Sequence, residues 1–299
     1  MKEVWDSLME ALNRPATFKM SILWTLLFSF LTYLLGVVTG WYRKNLFQFR
    51  YILRKILNIL SRKKYIILWN DDNTSVSENL KALLERRAPG FKYRILSEPD
   101  KLLGFPLTPK NVHIIFLIVS DVTKLAEVEA LRELIQKRLI DYVRKGGNLF
   151  GTHDIIYRRC RNTSLQIAYG CETTNFKRLS KPIKVRVMEN CRNHPLLEGL
   201  PQEFELEDGE LCWGEWGNGA KILISTASQY KNNLDDRRIH VPTLVIRHTG
   251  RIGTLIWMNS ADKYKDIAKS INDPQEEVIQ LFENAIKNSD RIKQFDNPI

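Results

Sequence analysis

The stretch MSILWTLLFSFLTYLLGVVTGW, Met20 to Trp41, carries no charged side chain over roughly 22 residues. A helix of that length rises far enough to cross about 30 Å of hydrocarbon. Trp24, Trp41 and Tyr42 lie near its ends, where rings with one polar atom favour the bilayer interface. The run starts well inside the chain, and Thr39-Gly40-Trp41-Tyr42-Arg43-Lys44 reads as a stop rather than a small-residue cleavage site. A single-pass anchor over 20–42 is therefore expected, not a cleaved signal.

Charge decides how such an anchor is oriented. Between Met20 and Asn70 there is no Asp or Glu, but there are Arg43, Lys44, Arg50, Arg54, Lys55, Arg62, Lys63 and Lys64. Much of the net +11 of the chain thus sits in one short block. The preceding flank mixes Lys2, Arg14 and Lys19 with Glu3, Asp6 and Glu10. Cations stay on the cytoplasmic side, so residues 1–19 are expected outside the inner membrane and the large domain inside. The same clustering argues against nucleic acid as a partner of the folded domain, and for the lipid bilayer. Within 43–64, Leu46, Phe49, Leu53, Ile56, Leu57 and Leu60 recur at helical spacing. This basic amphipathic segment can lie on anionic lipid, or extend the span and pack on the domain or a second copy.

From Tyr65 the chain alternates apolar strands with helical stretches. Tyr65–Trp69 precedes a turn and a helix that Ser75 or Ser77 can cap. His113–Val119 is the most apolar strand, followed by a helix over about 124–145, then Gly146-Gly147 and a strand at Asn148–Gly151. Continuous apolar strands separated by helices predict an α/β fold, a mainly parallel sheet with helices on both faces, flavodoxin-like. Ligands of such sheets bind beyond the carboxyl ends of the strands. The second half reads as strands at Ile183–Glu189, Glu203–Glu207, Lys221–Ser225, Pro242–Arg247 and Gly253–Met258, closed by a helix at 274–287. Residues 65–288 are expected to form one domain, with 289–299 as a tail.

Three motifs, in this order, resemble the trehalose-utilisation (ThuA-like) family of the class I glutamine amidotransferase-like fold. They are Gly146-Gly147 with Gly151-Thr152-His153, then His194-Pro195 with Gly199-Leu200, then Pro242 and Arg247 with Gly250-Arg251. Two family patterns differ here. The acidic motif after the His-Pro segment becomes Asp208-Gly209-Glu210-Leu211-Cys212-Trp213, and the histidine-rich turn after the first strand becomes Asn70-Asp71-Asp72-Asn73. The resemblance implies an elbow after the fourth strand, where amidotransferases carry a nucleophilic cysteine and this chain carries His153. Glutamine amidotransferase activity is accordingly not expected.

Candidate site residues gather at the expected strand ends: Asn70, Asp71, Asp72, Ser120, Asp121, Thr152, His153 and Asp154, with Arg158 and His194 as neighbours. His153 can act as general base, metal ligand or ligand donor, or can simply bond backbone carbonyls in a tight turn. Asp154 can cap a helix that opens there. Arg158, Arg159 and Arg161 suit an anionic ligand or a solvated face. Glu205, Glu207, Asp208 and Glu210 form an acidic edge, which repels phosphates and favours polyols or cations if it faces the pocket and is otherwise a charged rim. Cys160, Cys171, Cys191 and Cys212 show no zinc-like spacing, and no metal or cofactor is expected.

Two functions, and one bland alternative to both, follow from this layout. One is a membrane-anchored domain that binds a small polar ligand or a partner and assembles as a homo-oligomer, as a ligand-gated effector would. The other is a membrane-tethered hydrolase or lyase of a sugar or nucleotide-like substrate, using His153; a degenerate scaffold for protein contacts is a third. The orientation is testable directly. Protease added to everted inner-membrane vesicles is expected to remove the residues beyond 65, whereas a domain spared there and cut in intact spheroplasts overturns the assignment.

Overall fold

The computed structural model describes residues 25, 27–32, 63–69, 74–117, 125–179, 181–207, 209–232, 234–250, 253–259 and 275–296, with backbone alone at 74–77 and 153. The chain divides into two compact units, 1–62 and 63–299. In the first, residues 27–32 are helical, and the Thr32 hydroxyl donates to the Phe28 carbonyl at 2.5 Å. Among the described residues no helix is long and apolar enough to cross a membrane. The expected span at 20–42 lies outside the described residues except for Thr25 and 27–32, and so does the juxtamembrane segment up to Arg62.

The second unit is built on a nine-stranded sheet. Its first half is β1 (Tyr65–Trp69), β2 (Lys92–Leu96), β3 (Val112–Leu117) and β4 (Asn148–Thr152). These alternate with helices α1 (Thr74–Arg87), α2 (Pro99–Gly104) and α3 (Glu129–Arg144), and α4 (Thr163–Tyr169) follows β4. The second half supplies β5 (Thr173–Arg178), β6 (Ile183–Val187), β7 (Glu203–Leu206), β8 (Glu210–Gly214) and β9 (Ala220–Thr226). Then come β10 (Tyr230–Lys231), β11 (Arg238–Ile239), β12 (Pro242–Thr249) and β13 (Gly253–Met258), and helices α5 (Glu276–Lys287) and α6 (Ser289–Asp296). The sheet order is β2-β1-β3-β4-β13-β12-β9-β6-β7. Pairing is parallel from β2 to β13 and antiparallel from β13 to β7. The expected parallel sheet is thus the half that carries the elbow, and an antiparallel half continues it.

Alternation along the strands feeds two cores. Ile66, Leu68, Ile114, Phe116, Phe150 and Ile256 pack with α1 and α5, whereas Ile67, Trp69, Ile115, Leu117, Leu149 and Trp257 pack with α2, α3 and α4. Successive side chains of a strand point to opposite faces, so an unbroken apolar strand needs cover on both. The register carries one row across the sheet, Trp69–Leu117–Gly151–Trp257, on the second of these faces. After α3, Gly146 takes φ +97°, a conformation open to glycine that turns the chain into β4.

Three sequence expectations shift. Helix α1 opens at Thr74, so Ser75 and Ser77 lie inside it rather than at its cap. Glu210 does not join a solvated acidic rim: it is buried in β8 and pairs with Arg178 at 2.7 Å, because β8 lies against β5. The segment from Ser289, expected as a tail, is helix α6 through Asp296, with Ile292 buried in the core. Its apolar side packs because Ile292 meets the α1/α5 core.

Phe282 of α5 sits edge-on to Phe116 and Phe150, with ring centroids 5.3 and 5.0 Å away. Truncating a fully buried aromatic removes its contacts and leaves a cavity. The Phe282→Ala substitution should cost about 3–5 kcal/mol, read as a lowered midpoint in urea unfolding of the full chain.

Candidate functional site

The elbow is assembled at the carboxyl end of β4. Gly151 has no space for a side chain: a Cβ there would lie 2.7 Å from Ile155 Cγ2 and 2.8 Å from the Tyr169 hydroxyl. That hydroxyl donates to the Ile256 carbonyl of β13 at 3.2 Å, tying α4 across the sheet. Thr152 is buried and extended, and its hydroxyl donates to Leu117 O at 3.4 Å. His153 then opens a 3-10 helix, His153–Ile156, and its side chain lies outside the described residues. A strained nucleophile elbow places its key residue in a sharp, sterically costly turn. Among the described non-glycine residues, positive φ occurs at Arg161 and Asp236, not at the elbow.

Buried polar side chains fix the turn that follows. Cys160 Sγ donates to Asp154 O at 2.7 Å, and Asn162 Nδ2 to Ile155 O at 3.0 Å. Gln166 Nε2 reaches Ile156 O and Tyr157 O at 3.4 and 3.3 Å. The Leu165 amide in turn donates to Gln136 Oε1 of α3 at 3.2 Å. The Asp154 and Tyr157 carbonyls also accept backbone amides, from Tyr157 and Cys160 at 3.1 and 2.9 Å, so the turn is held by both main-chain and side-chain bonds. Asp154 itself is buried in the first turn of this 3-10 helix, while Arg158, Arg159 and Arg161 are exposed. Of the other expected site residues, Asn70, Asp71, Asp72, Ser120 and Asp121 lie outside the described residues.

His194 is placed elsewhere. Its Nδ1 accepts from the Leu196 amide at 3.1 Å, and its Nε2 meets Asp296 Oδ2 at 3.0 Å. The same carboxylate meets His248 Nε2 at 2.9 Å and Lys221 Nζ at 2.7 Å. His248 pairs with Thr254, and Thr254 with Asn148, the first residue of β4. This cluster therefore lies at the amino ends of the parallel strands, about 13 Å of strand away from Thr152. His194 is not a neighbour of the elbow, because β12 runs antiparallel to β13 and carries His248 back to the opposite end. Burial opposes ionisation of Asp296, but hydrogen bonds from His194, His248 and Lys221 override it and hold the carboxyl well below the usual range.

The four thiols are buried and reduced. Burial, with Glu172 and Glu215 nearby, pushes Cys171 up to about 12, and burial also raises Cys191. Neither is a thiolate at neutral pH. Among the described residues no group of three or more His, Cys, Asp or Glu is placed to hold a metal ion.

One cleft, of about 370 Å³, opens between the β5–β8 ribbon and the β10–β11 hairpin. The ribbon stands at the elbow end: Thr173 bridges Tyr157, and Asn259, just past β13, donates to Glu210 O at 2.8 Å. Glu172, Trp213, Glu215, Asn232, Asp235 and Arg237 line it. Arg237 Nη2 bonds Glu215 Oε1 at 2.9 Å, and its Nε bonds Asp235 Oδ2 at 2.6 Å. The lining is acidic overall and its one arginine is already engaged. None of Asn232, Asp235 and Arg237 was indicated by sequence pattern; the NNLDDRR run, Asn232 to Arg238, reads as an ordinary solvated loop.

The likeness of this chain to known proteins is one of fold alone. No protein-family model matches it, and no curated protein sequence does. Among solved structures, it superposes on a ThuA-like protein from Parabacteroides merdae with TM-score 0.53 and 13% identity, covering 76% of this chain and 89% of that one. A glutamine amidotransferase from Thermotoga maritima gives TM-score 0.43 at 9% identity, over 78% and 86% of the two chains. The first likeness shows the fold: the domain has the α/β architecture of a ThuA-like protein, the amidotransferase-like arrangement expected from the motifs. At this identity it shows nothing about chemistry.

Asp296 provides a test of the far cluster. A depressed folded pKa means that its contribution is complete above the unfolded value, about 4, and is lost as pH falls through the folded one. Asp296→Asn should lower stability by about 1–3 kcal/mol at neutral pH. The gap from wild type, measured by urea unfolding between pH 7 and 2, should close only at the acid end.

Proposed function

We propose that this chain is a membrane-anchored, cytoplasmic binding module whose ThuA-like domain takes up a small polar ligand at the elbow end of its sheet and signals by self-assembly. The observation that carries the ligand-binding part is the cleft between the β5–β8 ribbon and the β10–β11 hairpin, at the strand ends where α/β folds bind ligands. Its acidic lining disfavours phosphates and suits a neutral polyol or a cation. Trp213 adds apolar surface, and Asn232 an amide that already links ribbon and hairpin through Asn175 at 3.2 Å.

Binding rather than catalysis is supported by the elbow. Its turn is held by Cys160, Asn162 and Gln166, and the thiol nearest in sequence is spent on a backbone carbonyl. Such a turn is a rigid platform, which lowers the ordering cost of a bound ligand. Anchoring is argued from the uncharged run Met20–Trp41 and the basic block behind it.

The test is mass spectrometry of small molecules released from the full chain purified in detergent, comparing wild type, His153→Ala and Asp235→Asn. Wild type should release a polar, non-phosphorylated compound, and Asp235→Asn should retain at least fivefold less of it. Equal amounts from wild type and both variants overturn the proposal.

A further inference from the structure

We infer that the outer edge of β5 is a docking strip for an extended acidic segment of a partner protein, which lies along Asn175–Arg178 as an added strand. None of these four residues lines the ribbon–hairpin cleft, and the inference does not depend on how that cleft is read.

The ribbon has only two strands, so β5 pairs with β8 along one edge. Its other edge meets Tyr157 in a single parallel bridge at Thr173, and among the described residues no strand continues beyond that bridge. Phe176, Lys177 and Arg178 are exposed. The backbone N–H and C=O groups of such an edge point outward and can accept a further strand. Charge is the usual means of keeping an edge from pairing with copies of itself, and both charges on this one are positive.

Beside the edge runs a row of alternating cations and rings. Arg159 lies over the Tyr157 ring at 6.0 Å, Tyr157 meets Phe176 edge-on at 5.9 Å, and Arg178 lies over Phe176 at 5.8 Å. Glu210 holds Arg178 at 2.7 Å, so this guanidinium is oriented before a partner arrives. Neighbouring residues of a strand point to opposite faces. Phe176 and Arg178 therefore face away from Asn175, whose amide bonds Asn232 on the cleft side. Arg158, Arg159, Arg161 and Lys177 are exposed, and among the described residues none of them has a carboxylate partner. An acidic strand on the edge brings alternate carboxylates over this row while its backbone pairs with β5. Single-stranded nucleic acid needs a succession of exposed rings for its bases. Tyr157 is buried and only Phe176 of the row presents a ring to solvent, so the surface fits a peptide better.

Fluorescence anisotropy of a labelled peptide of about ten residues, alternating Glu and Thr, titrated with the full chain in detergent tests this. Wild type should bind it saturably, and less tightly as salt rises. Alternate residues of an added strand turn their N–H groups to β5. Of two peptides N-methylated at the Glu or at the Thr positions, one should therefore bind as the parent does and the other about tenfold more weakly. Arg159→Glu with Lys177→Glu should weaken binding of the parent peptide about tenfold. Urea unfolding reports whether this variant folds; if it does not, Arg159→Gln takes its place and should weaken binding about threefold. The inference is overturned by no saturable binding to wild type, by equal binding of the two methylated peptides, or by a folded variant that binds as wild type does. An oligothymidylate of similar length that binds more tightly than the peptide overturns it too.

Discussion

Burial of β1, β3, β4 and β13 on both faces is the constraint from which the rest of the domain follows. Ile66 and Leu68 need cover on one side, Ile67 and Trp69 on the other, and the same holds for Ile114 to Leu117. Helices α1 and α5 supply one layer, and α2, α3 and α4 the other. Once both faces are closed, only the strand ends remain for recognition. The backbone groups there cannot be left to water, because the turn after β4 is itself buried. Cys160, Asn162 and Gln166 answer that demand, and the elbow becomes rigid as a consequence of packing.

The two ends of the sheet are therefore different in kind. At the amino end, Asp296 gathers His194, His248 and Lys221 and fastens α6 to the antiparallel half. At the carboxyl end lie the elbow, the acidic cleft and the start of α3 with Arg132.

Much of the fold could be read directly. The apolar runs Tyr65–Trp69 and Gly253–Met258 are strands at the expected bounds, and the closing helix begins within two residues of its expected start. The candidate site was less legible. Thr152 and Asp154 stand at the elbow as expected, but both are buried, and Arg158 faces solvent. His194 looked like a companion of His153 because both follow family-like motifs. It is not, since motif order says nothing about which end of the sheet a loop reaches. The burial of Arg132 is not evident from its residue type, because a charged residue in a helix usually marks the solvent side. The clue lay in its spacing: Arg132, Ile135, Gln136 and Leu139 share one helical face, and that face is buried.

The sequence by itself determined the alternation of elements, the two-sided burial of the central strands, and the histidine that follows Gly151-Thr152 at the end of β4. These are local properties, written in periodicity and residue type. Only the tertiary structure decided which loops meet, that Glu210 is buried against Arg178, that the expected tail is a helix locked by Asp296, and that the Arg132 guanidinium is buried against the Ala126 and Glu127 carbonyls. Those outcomes depend on strand order and direction, and above all on the reversal at β12. No local pattern encodes that reversal, because it is set by which arrangement covers the whole sheet.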